Sequence, residues 1–138
     1  MKTITKTIIA FVAISLFACG STKVENSQSN DETNNLQQST SIAKDVTITE
    51  FKKLIEKGGI VVDVRTPNEY NAGHLENAIN INFYDPNFKT EIVKLDHSKT
   101  ILVYCKSGGR SGKSMSIMKE NGFKTVYNML GGYSAWSK

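Results

Sequence analysis

Cys105 opens the segment CKSGGRS, Cys105 to Ser111, and its neighbours suit a reactive thiol better than a packing group. The segment follows an apolar, β-branched run, TILVY from Thr100 to Tyr104, and precedes residues that read as a helix. A strand that ends in cysteine, passes through Gly108 and Gly109 and enters a helix at Arg110 or Ser111 makes a cradle of backbone N–H groups around the sulfur. Lys106 and Arg110 add two cations, and the helix N-terminus adds partial positive charge. The thiol is therefore expected to ionise below its free value of about 8.5, and thiolate is the nucleophilic form. Gly108 and Gly109 are read as the positions where φ > 0 or close backbone approach lets several N–H groups converge. An inert core cysteine needs none of these neighbours.

A thiol that is already ionised needs no general base, and no Cys, His and Asp constellation has to be found. His74 and His97 lack a ligand-spaced companion, so no metal is implied, and no other cofactor. Asp63 sits inside the apolar run IVVDV, where an unpaired carboxylate is costly; it is expected to accept hydrogen bonds from nearby loop N–H groups. Arg65 and Glu69, four apart, read as an exposed pair at a helix start worth about a few tenths of a kcal/mol. His74 reads as a satisfied loop histidine and His97, beside Asp96, as a solvated one. Tyr133 and Trp136 are expected to close the core at the C-terminus, and Lys113 to be a surface cation.

These residues need elements to place them, and 138 residues allow one domain of ordinary size. The hydrophobic share of 39% and charged share of 22% fit a globular chain. The net charge of +4 is spread out, without the basic run and interleaved aromatics that would point to nucleic acid. The pattern predicts a strand over Asp45 to Ile48 and an amphipathic helix from Thr49 to the stop at Gly58 and Gly59. A buried strand follows over Ile60 to Val64, then a short helix over Pro67 to Tyr70 and a strand over Ala78 to Asn82. A helix over Asp85 to Leu95 leads to the Thr100 to Tyr104 strand. Ser111 to Glu120 then reads as a helix, with Met115 and Met118 on its apolar face. A strand over Thr125 to Met129 and a terminal helical turn containing Trp136 complete the order. Strands alternating with helices in so small a domain indicate an α/β fold, a small doubly wound parallel sheet with helices on both faces. Chemistry in such sheets sits beyond the carboxyl ends of the strands, which is where Cys105 falls.

The front of the chain is of another kind. Lys2 and Lys6 precede an apolar run from Ile8 to Phe17, too short to span a bilayer and suited to the core of an export signal. Its end, LFAC at Leu16 to Cys19, resembles the bacterial lipobox, which implies that Cys19 is acylated and becomes the new N-terminus; Phe17 is bulkier than that pattern usually has. Gly20 follows without an acidic residue, which by the same resemblance leans to the outer membrane, facing the periplasm. Residues 20 to 44 are rich in Ser, Thr, Asn and Gln and read as a polar, disordered tether. The division expected is thus signal 1–19, tether 20–44 and folded domain 45–138, held on the cell envelope by a lipid anchor.

Four blocks of the folded part resemble a single-domain rhodanese, a sulfurtransferase: DVRTPNEYNAGHLENAINI from Asp63, the strand TILVYC, the loop CKSGGRS and the tail GGYSAW. The resemblance implies that Cys105 takes a sulfane sulfur from a small anionic donor such as thiosulfate, holds it as a persulfide and passes it to a thiol, a protein acceptor or cyanide. It implies that Lys106, Ser107, Gly108, Gly109, Arg110 and Ser111 bind the substrate, with Lys106 and Arg110 assisting an anion. Asp63, Arg65 and His74 would be structural or bracing positions, and the domain a monomer. A sulfur-carrying module without turnover is the alternative from another class. Cdc25-type phosphatase or arsenate reductase chemistry is the minor enzyme alternative, since that relative resembles this loop but carries five residues between cysteine and arginine instead of four.

Overall fold

The computed structural model describes residues 40–138. The expected signal, the lipobox at Cys19 and most of the tether lie outside the described residues. Five parallel strands, β1 (Ile42–Val46), β2 (Ile60–Asp63), β3 (Ile79–Asn80), β4 (Thr100–Tyr104) and β5 (Thr125–Met129), form one sheet in the order β1-β5-β4-β2-β3. Helices α1 (Ile48–Glu56), α2 (Pro67–Asn71), α3 (Phe88–Ile92), α4 (Gly109–Glu120) and α5 (Gly132–Trp136) connect and cover it. The α/β architecture is the one the alternating pattern predicts.

The central strand shows why. Along β4 the side chains alternate between two cores, as a period of two requires. Ile101, Val103 and then Cys105 pack with Phe88, Ile92 and Met118 of α3 and α4. Leu102 and Tyr104 pack on the other face with Phe51 of α1 and, at its margin, Tyr133 and Trp136 of α5. A strand covered on both faces must be apolar throughout, and Ile101 to Tyr104 are all fully buried. The parity that buries Val103 also turns Cys105 toward α4.

The boundaries differ from the expected ones for physical reasons. β1 takes in Ile42 to Lys44, which composition assigns to the tether, because an edge strand is held by backbone pairing with Thr125 to Tyr127 and needs little apolar content. Helix α1 starts one residue before the expected Thr49: Thr47 caps it, accepting from the Glu50 N–H while Glu50 accepts from the Thr47 N–H. The expected helix over Asp85 to Leu95 shrinks to Phe88–Ile92, since its N-cap Asn87 makes no side-chain capping bond. The strand over Ala78 to Asn82 shrinks to two residues at the edge of the sheet.

Candidate functional site

Beyond the carboxyl end of β4 the chain turns at Cys105 and enters α4 at Gly109. Gly108 is the N-cap, with φ of 103°, a conformation that costs any other residue strain. That turn aims the Gly108 N–H at the thiol, with nitrogen 3.1 Å from Cys105 Sγ. From the first turn of α4, the Ser111 hydroxyl reaches the same sulfur at 3.4 Å. Burial pushes the Cys105 thiol up, but the Ser111 hydroxyl and the N–H groups of Ser111, Ser107 and Gly108 outweigh it and leave the thiol below its ordinary value. The direction is the expected one, and its leading causes are hydrogen bonds to the sulfur, with neither Lys106 nor Arg110 among them. Gly109 does not play the role expected of it: as the first helical residue it has no positive φ, and a Cβ there would meet nothing within 4 Å.

Arg110 is also placed otherwise than expected. Its guanidinium makes a two-pronged pair with Glu69, Nη1 to Oε2 and Nη2 to Oε1, both at 2.8 Å, and the Tyr84 ring lies 5.4 Å from its Cζ. Glu69 is therefore not the partner of Arg65. Arg65 precedes the helix that holds Glu69, so the four-residue spacing never becomes a helical one, and Thr66 caps α2 with Glu69 at its third position. Glu69 thus serves two tasks, accepting from the Thr66 N–H and hydroxyl at 3.0 and 2.9 Å and holding Arg110. The guanidinium holds the Glu69 carboxyl down to about 2, against the pull of partial burial.

Asp63 and Arg65 form a buried pair one layer beneath. Arg65 Nη2 donates to Asp63 Oδ2 at 2.6 Å and to the Gly73 carbonyl at 2.7 Å, and the Arg65 N–H donates to Asp63 Oδ1 at 2.8 Å. Of the loop N–H groups expected on Asp63, this one is found; the guanidinium supplies the rest. Tyr133 lies over it, its ring centre 4.1 Å from Arg65 Cζ. The tail closes the construction: the Tyr133 and Ser134 N–H groups donate to the carbonyls of Cys105 and Lys106 at 2.8 and 3.0 Å.

The rhodanese-like domain family matches residues 47–138. The chain belongs to the rhodanese family. This rhodanese domain is 35% identical over 107 residues to "Thiosulfate sulfurtransferase 16, chloroplastic" of Arabidopsis thaliana, covering 70% of this chain and 89% of that protein. It is 31% identical over 94 residues to the thiosulfate sulfurtransferase GlpE of Pseudoalteromonas translucida, covering 67% and 88% respectively. The crystal structure of a rhodanese-related protein from Thermoplasma volcanium superposes with a TM-score of 0.61 at 26% identity, covering 68% of this chain and 90% of that one.

The remaining residues of the rhodanese domain fall into place around the loop. Lys106 is exposed and faces a cavity of about 220 Å³ shared with Arg65, Glu69 and Tyr133. Ser107 is exposed in the loop. His74 is exposed, stacked on Tyr70 at 3.7 Å with Nδ1 3.0 Å from the Tyr70 carbonyl, and its ring makes no hydrogen bond to the loop. His97 is not the solvated residue expected: its ring stacks on Phe123 at 3.9 Å and its Nε2 lies 2.9 Å from the Val93 carbonyl. A cavity of about 630 Å³ runs beside β3 and is lined by no residue of the Cys105 to Ser111 loop.

Two residues escaped the sequence reading. Asn128 is buried in β5, where its Nδ2 donates to the Gly108 carbonyl at 3.2 Å and to Asp45 Oδ1 at 2.8 Å. An amide between the buried Val126 and Met129 was the available signal. Tyr84, 67% exposed, carries no such signal, because its contact with Arg110 depends on the turn that follows β3.

Proposed function

We propose that this rhodanese domain is a sulfurtransferase that moves a sulfane sulfur through a persulfide on Cys105. The observation that carries the reading is the position of Sγ, within reach of the Gly108 N–H and the Ser111 hydroxyl at the start of α4. The Cys105 thiolate attacks the outer sulfur of thiosulfate, the donor S–S bond breaks, and sulfite leaves with the electron pair. A thiol or cyanide then removes the outer sulfur and restores the thiolate. Donors already in place around Sγ meet the charge as it spreads over two sulfurs, with no reorganisation at the moment of reaction. The spacing of four residues between Cys105 and Arg110 supports sulfur over phosphate or arsenate as the bound centre. So does the engagement of Arg110 by Glu69, whose carboxylate takes two of the guanidinium N–H donors and offsets the charge that a phosphoryl clamp would use.

The test is formation of thiocyanate from thiosulfate and cyanide by the chain, set against Cys105→Ala. Turnover well above the variant is expected; equal rates would overturn the reading. Cys105 is the only cysteine among the described residues, which supports a second reading, a sulfur carrier that hands its load to a partner. Intact mass showing one added sulfur on Cys105 without thiocyanate turnover would select it. The export pattern supports a further part of the proposal, a lipid anchor at Cys19 that holds the domain in the cell envelope. Cys19→Ser is expected to move the protein from the membrane to the soluble fraction, and unchanged fractionation would contradict the anchor.

A further inference from the structure

Three cations lie around the loop, Lys106 and Arg110 beside it and Arg65 buried beneath it, and two of them are already matched. Arg65 is paired with buried Asp63, and Arg110 is gripped at both terminal nitrogens by Glu69. Lys106 makes no ion pair among the described residues. The cavity of about 220 Å³ beside the loop is walled by Lys106, by Arg65, whose charge Asp63 already matches, and by Glu69, so an anion there meets a carboxylate together with the unpaired cation. A mouth whose charges nearly cancel attracts a dianion weakly. A carboxylate within reach also disfavours it directly, by like-charge repulsion.

We propose that Glu69 sets donor specificity, holding Arg110 so that the site selects singly charged or neutral sulfane donors, organic persulfides and thiosulfonates, over the thiosulfate dianion. The inference rests on the sulfur-transfer reading and refines it. With an organic persulfide the Cys105 thiolate attacks the outer sulfur of R–S–SH. A bond forms between Sγ and that sulfur, the donor S–S bond breaks, and RS⁻ leaves with the electron pair. The outer sulfur keeps its proton. Nothing in this exchange calls for a free guanidinium. Thiosulfate, by contrast, must lose sulfite, and sulfite carries two charges into a mouth with one uncompensated cation among the described residues. Glu69 acts through Arg110 and is a positioning residue.

The test compares thiosulfate with benzenethiosulfonate, a monoanion with the same kind of sulfane sulfur, on the chain and on Glu69→Gln. Glutamine still accepts from Thr66 and so keeps the cap of α2 while releasing the charge on Arg110. The native chain is expected to show the higher kcat/KM with benzenethiosulfonate. Glu69→Gln should raise the thiosulfate to thiosulfonate ratio by about tenfold, the size of one charge-assisted hydrogen bond to an anion, chiefly through the KM for thiosulfate. Glu69→Asp keeps the charge one methylene back and should hold the ratio near that of the native chain, which guards against a purely structural effect. A native preference for thiosulfate, or a ratio that Glu69→Gln does not move, overturns the inference while leaving sulfur transfer intact. If intact mass shows that neither donor adds sulfur to Cys105 in the native chain, the sulfur-transfer reading falls and takes the inference with it.

Discussion

Gly132 lies so close to the first two peptides of the Cys105 loop that a Cβ on it would overlap the Cys105 carbonyl oxygen and stand 2.6 Å from the Lys106 carbonyl carbon. Its φ of 57° adds a second obstacle to any side chain. The closeness lets the next N–H, of Tyr133, reach the Cys105 carbonyl, so the tail fixes the first peptide of the loop from the outside. Gly132→Ala is expected to push the tail off the loop, costing about 1 to 3 kcal/mol by overpacking. Sulfur transfer should fall further than the unfolded fraction explains. Thermal melts with parallel thiocyanate assays check this, and a variant with native stability and activity would contradict the clamp.

The two glycines of the loop are predicted to respond oppositely. Gly108→Ala forces a side chain into the left-handed region and should cost about 1 to 2 kcal/mol, turning the Gly108 N–H away from Sγ. Gly109→Ala adds a Cβ in open space at the first helical position and should lie within about 0.5 kcal/mol of the native chain. Denaturant midpoints of the two variants, side by side, separate the roles.

Asp63→Asn would leave the Arg65 guanidinium without its countercharge between the rings of Tyr104 and Tyr133. Breaking a buried pair from one side is worth about 3 to 5 kcal/mol, which approaches the whole stability of a domain this size. Equilibrium unfolding should show that loss. A change under 1 kcal/mol, on the order of an exposed pair, would mean the pair is not buried as described.

Glu69 makes stability depend on acidity. Its folded value is depressed from the ordinary 4.5 to about 2, so its contribution is fully present above 4.5 and is lost as pH falls toward 2. The difference in melting temperature between the native chain and Glu69→Gln should therefore be largest near neutrality and shrink across that interval. A difference that stays constant from neutral pH to pH 2 would contradict the pair.

How far the molecule could be read from its residues depended on whether the cause was local. Thr100 to Tyr104 is legible to the residue, because burial on both faces leaves a strand no choice but a continuous apolar run, and Thr125 to Met129 keeps its expected bounds although Asn128 interrupts its apolar residues. The Cys105 loop is legible because a glycine-bearing turn between a strand and a helix admits few arrangements, although of the two glycines only Gly108 makes the turn. Glu69 was assigned the wrong partner, although the Thr66 to Glu69 spacing of a capping box already marked where α2 begins. The pairing of Glu69 with Arg110 spans 41 positions and follows from the order of strands, β2 beside β4, which no local pattern contains. Tyr84 against Arg110 is hidden for the same reason, whereas Asn128 carries a local signal, an amide in a strand.

The ionisation of Cys105 is the quantity on which the rest turns. The Ser111 hydroxyl has two acceptors in reach, Cys105 Sγ at 3.4 Å and the Gly108 carbonyl at 3.1 Å. That carbonyl already takes the Gly112 N–H of the helix at 2.9 Å and the Asn128 amide, which leaves the serine proton available to the sulfur. The pH dependence of Cys105 alkylation, followed in the native chain and in Ser111→Ala, measures this directly. The predicted result is a midpoint below the free-thiol value of about 8.5 in the native chain and a higher midpoint in Ser111→Ala. A native midpoint at or above that value, or one that Ser111→Ala leaves unmoved, would contradict the account.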